Sequence, residues 1–178
     1  LVVELECFIM AKRKLAYPRV RLPANVIVGR GSVRTVLGDF EGARAVFMTS
    51  AAQPVTSALE TALGDTLPVA DWLGKPAGEP DDEAVRAGAR WLAERQPQVI
   101  VAVGGGAVLD WARLAWAAAA GSLDPDMPAA TLAARGAAPA FVLVPTTCAT
   151  GAESATVAVM SREGRKCPVI SPDFLASH

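Results

Sequence analysis

The stretch that decides the fold is Val99-Ile100-Val101-Ala102-Val103, followed directly by Gly104-Gly105-Gly106. Its apolar part shows no alternation of polar and apolar residues, which is typical of a strand buried on both faces, as in a parallel sheet. A helical pattern covers residues 107–120, so the glycines stand between a strand and a helix. Glycines let the backbone turn sharply and approach a ligand, and the amides that start a helix suit a phosphate. A tight turn without a ligand is the alternative that this stretch alone leaves open.

Strand and helix patterns alternate along the rest of the chain. Strands are predicted at 26–29, 45–49, 67–72 and 141–144, and helices at 32–37, 55–63 and 82–96. Ser32 and Asp81 are predicted to cap two of the helices, and residues 74–80 have the composition of a loop. Segments 156–160 and 167–170, joined by a charged turn, predict a β-hairpin. The alternation predicts an open α/β sheet whose binding crevice lies at the carboxyl ends of the strands.

The composition indicates a folded domain that binds neither nucleic acid nor membrane. The 178 residues are 52% hydrophobic and 20% charged, with a formal net charge of -1. No basic stripe stands out, and no apolar run reaches the roughly 18 residues that a membrane span needs. Cys7, Cys148 and Cys167 are too scattered for a disulfide framework or a zinc knuckle. We therefore expect reduced thiols and a cytoplasmic location, and the first ten residues do not resemble a signal peptide.

A second loop rich in hydroxyl groups follows the predicted strand at 141–144. It reads Pro145-Thr146-Thr147-Cys148-Ala149-Thr150-Gly151-Ala152-Glu153-Ser154. Its threonines and serine offer donors and acceptors to a sugar or a phosphate, although a solvated loop with a helix cap would look the same. Because the carboxyl ends of parallel strands meet at one edge of a sheet, this loop and the glycine loop can converge on one ligand.

Two segments in register resemble the iron-containing alcohol dehydrogenase family. Residues 103–113, VGGGAVLDWAR, resemble its G-G-G-S-x-x-D-x-A-K signature, and residues 145–153 resemble its P-T-T-x-G-T-G-S-E segment. The charged turn at 162–166 is similar to the hairpin that follows in the family. The resemblance begins at about Leu22. It implies an N-terminal extension or edge strand over 1–21 and, over 22–178, a truncated dinucleotide-binding domain. The implied fold is a Rossmann-like open, mostly parallel sheet with flanking helices and a C-terminal hairpin.

The resemblance assigns a set of residues to an NAD or NADP cofactor. Gly104, Gly105, Gly106 and Ala107 would lie against the pyrophosphate, with Asp110 ordering the glycine turn; Thr146, Thr147 and Thr150 would line the crevice; and Lys166 would reach the ribose or phosphate region. Many NAD-preferring members carry an aspartate where this chain has Ser50. A serine there does not repel a 2′-phosphate, so NADP becomes acceptable.

Several positions depart from the family pattern. Ala107 replaces the serine after the glycines, which removes one hydroxyl donor. Ala149 and Ala152 stand where glycine and serine are usual, so the small size is kept and a second hydroxyl is lost. Arg113 replaces a common lysine and keeps its charge.

The family's metal site has no counterpart in this sequence. Members hold Fe²⁺ or Zn²⁺ with an aspartate and histidines of a helical C-terminal domain, and the metal acts as a Lewis acid on the alcohol oxygen. The one histidine here is His178. We therefore expect a metal only in a full-length parent that transfers hydride between an alcohol or aldehyde and the nicotinamide, and no catalytic residue in this chain, which alone should be inactive. An exposed crevice wall would favour homo-oligomers.

Three other identities remain open at this stage. A non-catalytic nucleotide-binding or assembly module from a truncated or split gene would have the same two loops, and the chain could equally be a fragment of a longer enzyme or one subunit of a split enzyme. Maleylacetate reductase and glycerol-1-phosphate dehydrogenase share the glycine-rich loop within the same superfamily, whereas dehydroquinate synthase has a lysine-bearing continuation that residues 148–154 do not match.

Overall fold

A computed structural model describes residues 23–51, 57, 71–124, 130–131, 139–148 and 150–177. The predicted extension at 1–21 lies outside these residues, as do His178 and, apart from Ser57, the helix predicted over 55–63. The helices and strands are, in chain order, α1 Ser32–Gly38, β1 Ala45–Ser50, β2 Asp71–Lys75, α2 Asp82–Arg95, β3 Val99–Gly104, α3 Gly106–Ala119, β4 Ala130–Thr131, β5 Ala140–Pro145, β6 Val157–Arg162 and β7 Arg165–Ile170. Single 3₁₀ turns cover Ala152–Ser154 and Pro172–Phe174.

Four strands form a parallel sheet in the order β2-β1-β3-β5. The chain leaves β1 toward one side of the sheet to form β2, then crosses to the other side of β1 to form β3. The strand order therefore reverses between β1 and β3, and the carboxyl ends of these strands flank the place where open α/β sheets bind their ligands. The predicted fold class, a mostly parallel α/β sheet with flanking helices, is confirmed.

Strand β3 lies in the middle of the core, with all six residues buried. On one face of the sheet, Ile100 and Ala102 belong to the cluster that includes helices α2 and α3. On the other face, Val101 and Val103 pack with helix α1. Burial on both faces explains why this strand lacks alternation in its sequence.

Helix α2 begins and ends as the sequence predicts. The Asp81 carboxylate caps it by accepting from the Ala84 N–H at 2.8 Å, and Asp82 and Glu83 stand in the first turn, where the helix dipole favours negative charge. The helix ends at Arg95, and Gln96 adopts a left-handed conformation with a φ of 45° just before Pro97.

The predicted hairpin is also present. Strands β6 and β7 are antiparallel and β4 extends them to a three-stranded sheet. Glu163 and Gly164 both have positive φ, 49° and 74°, as the two-residue type I′ turn requires. The hairpin packs on helix α3 with Ala158, Met160 and Val169 buried in the core.

The structure corrects three local predictions. Residues 26–29 are not a strand: no described strand pairs with them, and Val26 and Val28 are 74% and 91% exposed. The strand predicted over 67–72 runs from Asp71 to Lys75, because pairing with β1 extends into the region expected to be a loop. Ser32 is the first residue of helix α1 and Gly31, with a φ of 79°, is its N-cap.

None of the helices in the described ranges has both the length and the apolar character that crossing a bilayer would require.

We expect Gln96→Gly to stabilise the chain. Gln96 holds a left-handed conformation in which a side chain is strained and glycine is not. The free energy of unfolding in urea should rise by about 0.5–1 kcal/mol, while Gln96→Ala, the matched control, should show no gain. Equal stability of the glycine and alanine variants would contradict this assignment.

Candidate functional site

The glycine loop and the threonine loop meet at the carboxyl edge of the parallel sheet. The ladder between β3 and β5 continues past both strand ends, because the Thr146 N–H donates to the Gly104 carbonyl at 3.0 Å. A Cβ on Gly105 would lie 3.3 Å from Thr147 Oγ1, and a Cβ on Gly106 would lie 2.8 Å from Thr150 Oγ1. The structure thus brings these six predicted site residues together at one place.

Gly106 has no room for a side chain. A Cβ there would meet Oγ1, Cγ2 and Cβ of Thr150 at 2.8, 2.9 and 3.1 Å. Gly104 is similarly tight, since its Cβ would come within 2.7 Å of Val108 Cβ. Gly106 is therefore needed for the close approach of the two loops, and Gly104 for the close packing of Val108 against the end of β3, in addition to any contact with a ligand.

Helix α3 presents its N-terminus to this loop. Gly105 is its N-cap, and within the described chain no side chain caps it there. The Val108 and Leu109 amides bond back to the Gly105 carbonyl, so the amides of Gly106 and Ala107 are the ones that a helix start leaves without intrahelical partners. Together with the helix dipole, these N–H groups favour an anion.

Ser50 and Lys166, the two remaining predicted charged or hydroxyl-bearing site residues outside the loops and helix α3, lie on β1 and β7. Ser50 ends β1, one residue beyond the Thr49–Val103 pair, and is half-buried at the same sheet edge. Lys166 lies on β7, its side chain is 74% exposed, and its Nζ is 3.3 Å from Glu79 Oε1. Its charge is close enough to Asp110 to lower the pKa of that carboxyl.

Asp110 contacts the hairpin. Its Oδ2 accepts from the Val159 N–H at 3.0 Å, and its Oδ1 is 3.8 Å from Arg113 Nη2. Burial raises the pKa of Asp110, and the Val159 N–H and the Arg113 charge oppose that rise. We expected Asp110 to order the glycine turn; in the structure, its hydrogen bond instead ties helix α3 to β6.

Arg113 is fully buried and fixes the segment that follows Thr150. Its guanidinium donates to the carbonyls of Leu109 at 3.2 Å and Ala155 at 2.8 Å, and also to that of Ala152. Burial lowers the pKa of Arg113, and Asp110 raises it. In the sequence, Arg113 stood out only as a replacement for lysine. Its burial could have been predicted, because it is a charged residue inside an otherwise apolar helix face.

Two more charged residues, Lys75 at the end of β2 and Glu79 in the loop that follows, were not singled out from the sequence. Lys75 is 3% exposed, and its Nζ donates to the carbonyls of Pro76 at 2.8 Å and Gly78. Burial lowers the pKa of Lys75, while Asp81 and Glu79 raise it. Glu79 is also the partner of Lys166. These residues place charge beside the cofactor crevice that the sequence predicts.

Metal ligands do not gather in the described part of the chain. In those residues no group of three or more histidine, cysteine, aspartate or glutamate side chains is placed to hold a metal ion. The residues of the site offer amides, hydroxyls and one exposed ammonium, which are suited to an anionic organic ligand rather than to Fe²⁺ or Zn²⁺.

Comparison with known proteins gives one family. The model of the iron-containing alcohol dehydrogenase family matches residues 23–178. No curated protein matches significantly. Similar solved structures include an alcohol dehydrogenase from Oenococcus oeni (19% identity, TM-score 0.75, 89% of this chain and 44% of that one). Another is a sulfoacetaldehyde reductase from Bifidobacterium kashiwanohense in complex with NAD+ (19% identity, TM-score 0.71, 89% of this chain and 44% of that one). A third is a maleylacetate reductase from Agrobacterium tumefaciens (20% identity, TM-score 0.66, 90% of this chain and 41% of that one). The chain spans less than half the length of each, and these identities show a shared fold alone.

We expect Gly106→Ala to destabilise the chain by about 1–3 kcal/mol, because the new methyl group must displace Thr150. The matched control is Gly38→Ala, at the end of helix α1, where an added Cβ meets nothing within 4 Å. Urea unfolding should show the loss for Gly106→Ala only. A Gly106→Ala chain as stable as the wild type would show that the two loops do not approach as described.

The raised pKa of Asp110 predicts a pH dependence of stability. Burial in the folded chain raises this pKa above its ordinary value, so the folded chain holds the proton more tightly than the unfolded chain. The resulting stability is complete below the unfolded pKa and is lost as the pH rises through the folded pKa. Relative to Asp110→Asn, the wild type should therefore lose free energy of unfolding as the pH rises from about 4. Urea unfolding at a series of pH values measures the difference, and a difference independent of pH would contradict the assignment.

Proposed function

The chain belongs to the iron-containing alcohol dehydrogenase family, and we propose that it forms the NAD(P)-binding half of such an enzyme. The observation that carries the proposal is the meeting of Gly105 and Gly106 with Thr147 and Thr150 at the edge where the strand order reverses. This edge is where open α/β sheets bind dinucleotides.

Each part of the site has a chemical role in the proposal. The free amides of Gly106 and Ala107 would donate to the pyrophosphate oxygens, with the dipole of helix α3 favouring their negative charge. The hydroxyls of Thr147 and Thr150 would donate to the same group. Lys166, the exposed cation of the site, would reach the ribose or phosphate region.

Ser50 bears on the choice between NAD and NADP. It lies at the end of β1, beside the strand that leads into the glycine loop. A hydroxyl group at this point can form a hydrogen bond with a ribose hydroxyl and does not repel a 2′-phosphate. We therefore propose that both NAD and NADP bind. The NAD+ complex of the sulfoacetaldehyde reductase shows that a protein of this fold binds NAD+.

The parent enzyme would transfer hydride between a small alcohol or aldehyde and the nicotinamide. A bound Fe²⁺ or Zn²⁺ would polarise the alcohol oxygen in that reaction. The described residues do not fit such a metal, so the role we assign to this chain is to bind and orient the cofactor. We also propose a cytoplasmic homo-oligomer, since Val26 and Val28 leave apolar side chains exposed.

A non-catalytic nucleotide-binding or assembly module is the second candidate, because the meeting of the glycine loop with the threonine loop would serve it equally well. Both candidates share the cofactor site, and for both we expect this chain alone to be inactive. Binding of NAD(P) without turnover, together with a stable partner chain, would support the module, and turnover of an alcohol above a control without protein when Fe²⁺ or Zn²⁺ is added would contradict the expected inactivity.

Titration with NADH and NADPH, followed by nicotinamide fluorescence, tests the proposed cofactor site. Saturable binding is expected, and Thr150→Val should weaken it about 2- to 10-fold, because it removes a hydroxyl donor and keeps the shape. The matched control is Thr35→Val on the exposed side of helix α1, which should leave the affinity unchanged. Absence of saturable binding of both cofactors by the wild type would overturn the proposal.

A further inference from the structure

Glu79 lies between the loop after β2 and the hairpin, where it forms an ion pair with Lys166. The Oε1–Nζ distance is 3.3 Å, and the side chains of Glu79 and Lys166 are 45% and 74% exposed. The backbone fixes this loop next to the hairpin, because the Ser161 N–H donates to the Pro80 carbonyl at 2.7 Å. The carboxylate is therefore held where Lys166 can reach it.

The charge of Glu79 acts on three groups around the site. It pairs with Lys166. Burial lowers the pKa of Lys75, and the charge of Glu79 opposes that change; burial raises the pKa of Asp110, and the charge of Glu79 adds to that change. Two cations of the described residues lower the pKa of Asp110, and one of them, Arg113, is buried and bonded to backbone carbonyls. The other, Lys166, is largely exposed and is paired with Glu79.

We propose that Glu79 tunes the affinity of the site, because it competes with the anionic oxygens of the cofactor for Lys166. The inference rests on the proposed function. To bind the ligand, Lys166 must leave an exposed ion pair, which is weak enough to break readily. Glu79 then remains as a carboxylate without its partner beside a negatively charged ligand. Both effects lower the affinity of the site for the dinucleotide. Glu79 therefore sets how tightly the site binds the dinucleotide and how readily the site releases it.

A second ion pair also holds the hairpin, so the charge of Glu79 can be removed without removing every contact of the hairpin with the rest of the fold. Arg162 Nε and Asp82 Oδ2 are 3.0 Å apart, with side chains only 16% and 35% exposed, and they join the hairpin to helix α2. This less exposed pair and the Pro80–Ser161 hydrogen bond remain when Glu79 changes. Glu79→Gln keeps the size of the side chain and removes only its charge.

The experiment measures NADH affinity of the full 178-residue chain by fluorescence at low ionic strength. Glu79→Gln should bind NADH about 1.5- to 5-fold more tightly, the range expected for one exposed ion pair, and the gain should shrink as salt screens the charges. In a Lys166→Met background the direct competition is absent, so Glu79→Gln should leave the affinity for NADH nearly unchanged. Glu94→Gln removes the same charge from an exposed residue in the last turn of helix α2 and should bind as the wild type does.

The outcomes separate this inference from the proposed function. Wild-type binding with a Lys166-dependent gain in Glu79→Gln supports it. Wild-type binding with no gain, with the same gain in the Lys166→Met background, or with an equal gain in Glu94→Gln overturns the role of Glu79 and leaves the cofactor site intact. No wild-type binding of NADH or NADPH overturns both. Circular dichroism and urea unfolding of each variant confirm that the fold is unchanged.

Discussion

The close approach of Gly106 to Thr150 is the constraint on which the site depends. Helix α3 can begin directly after β3, and the threonine loop can lie across its N-terminus, only because nothing larger than hydrogen stands on Gly106. This approach brings free amides and hydroxyls to one edge of the sheet, where the strand order reverses. The packing of two loops against each other and the preparation of an anion site are thus the same arrangement.

Two charged residues with little exposure, Arg113 and Asp110, fix the segments next to this contact. Arg113 donates to backbone carbonyls of the segment after Thr150, and Asp110 accepts from the Val159 N–H of the hairpin. Burying both charges is unfavourable, and it is tolerated because each is hydrogen-bonded and the two lie 3.8 Å apart. Arg113 therefore fixes the segment after Thr150, and Asp110 ties helix α3 to the hairpin.

Local patterns in the sequence predicted most of the fold, because those elements depend on neighbouring residues. The buried strand β3, the Asp81 cap and the hairpin turn are of this kind. The ends of β2 were not predictable, since Gly74 and Lys75 resemble a loop and become a strand by pairing with β1. The convergence of the two loops followed from sheet geometry. The contacts of Arg113 with Ala152 and of Glu79 with Lys166 could not be predicted in this way, because the partners lie 39 and 87 residues apart in sequence.

A crystal structure of this chain with bound NADH tests the central claim most directly. The account predicts pyrophosphate oxygens about 2.7–3.2 Å from the amide nitrogens of Gly106 and Ala107, with the Thr150 hydroxyl at the edge of the ligand. Electron density for the dinucleotide at any other place, or a Thr150 side chain that blocks the amides when the ligand is present, would contradict it.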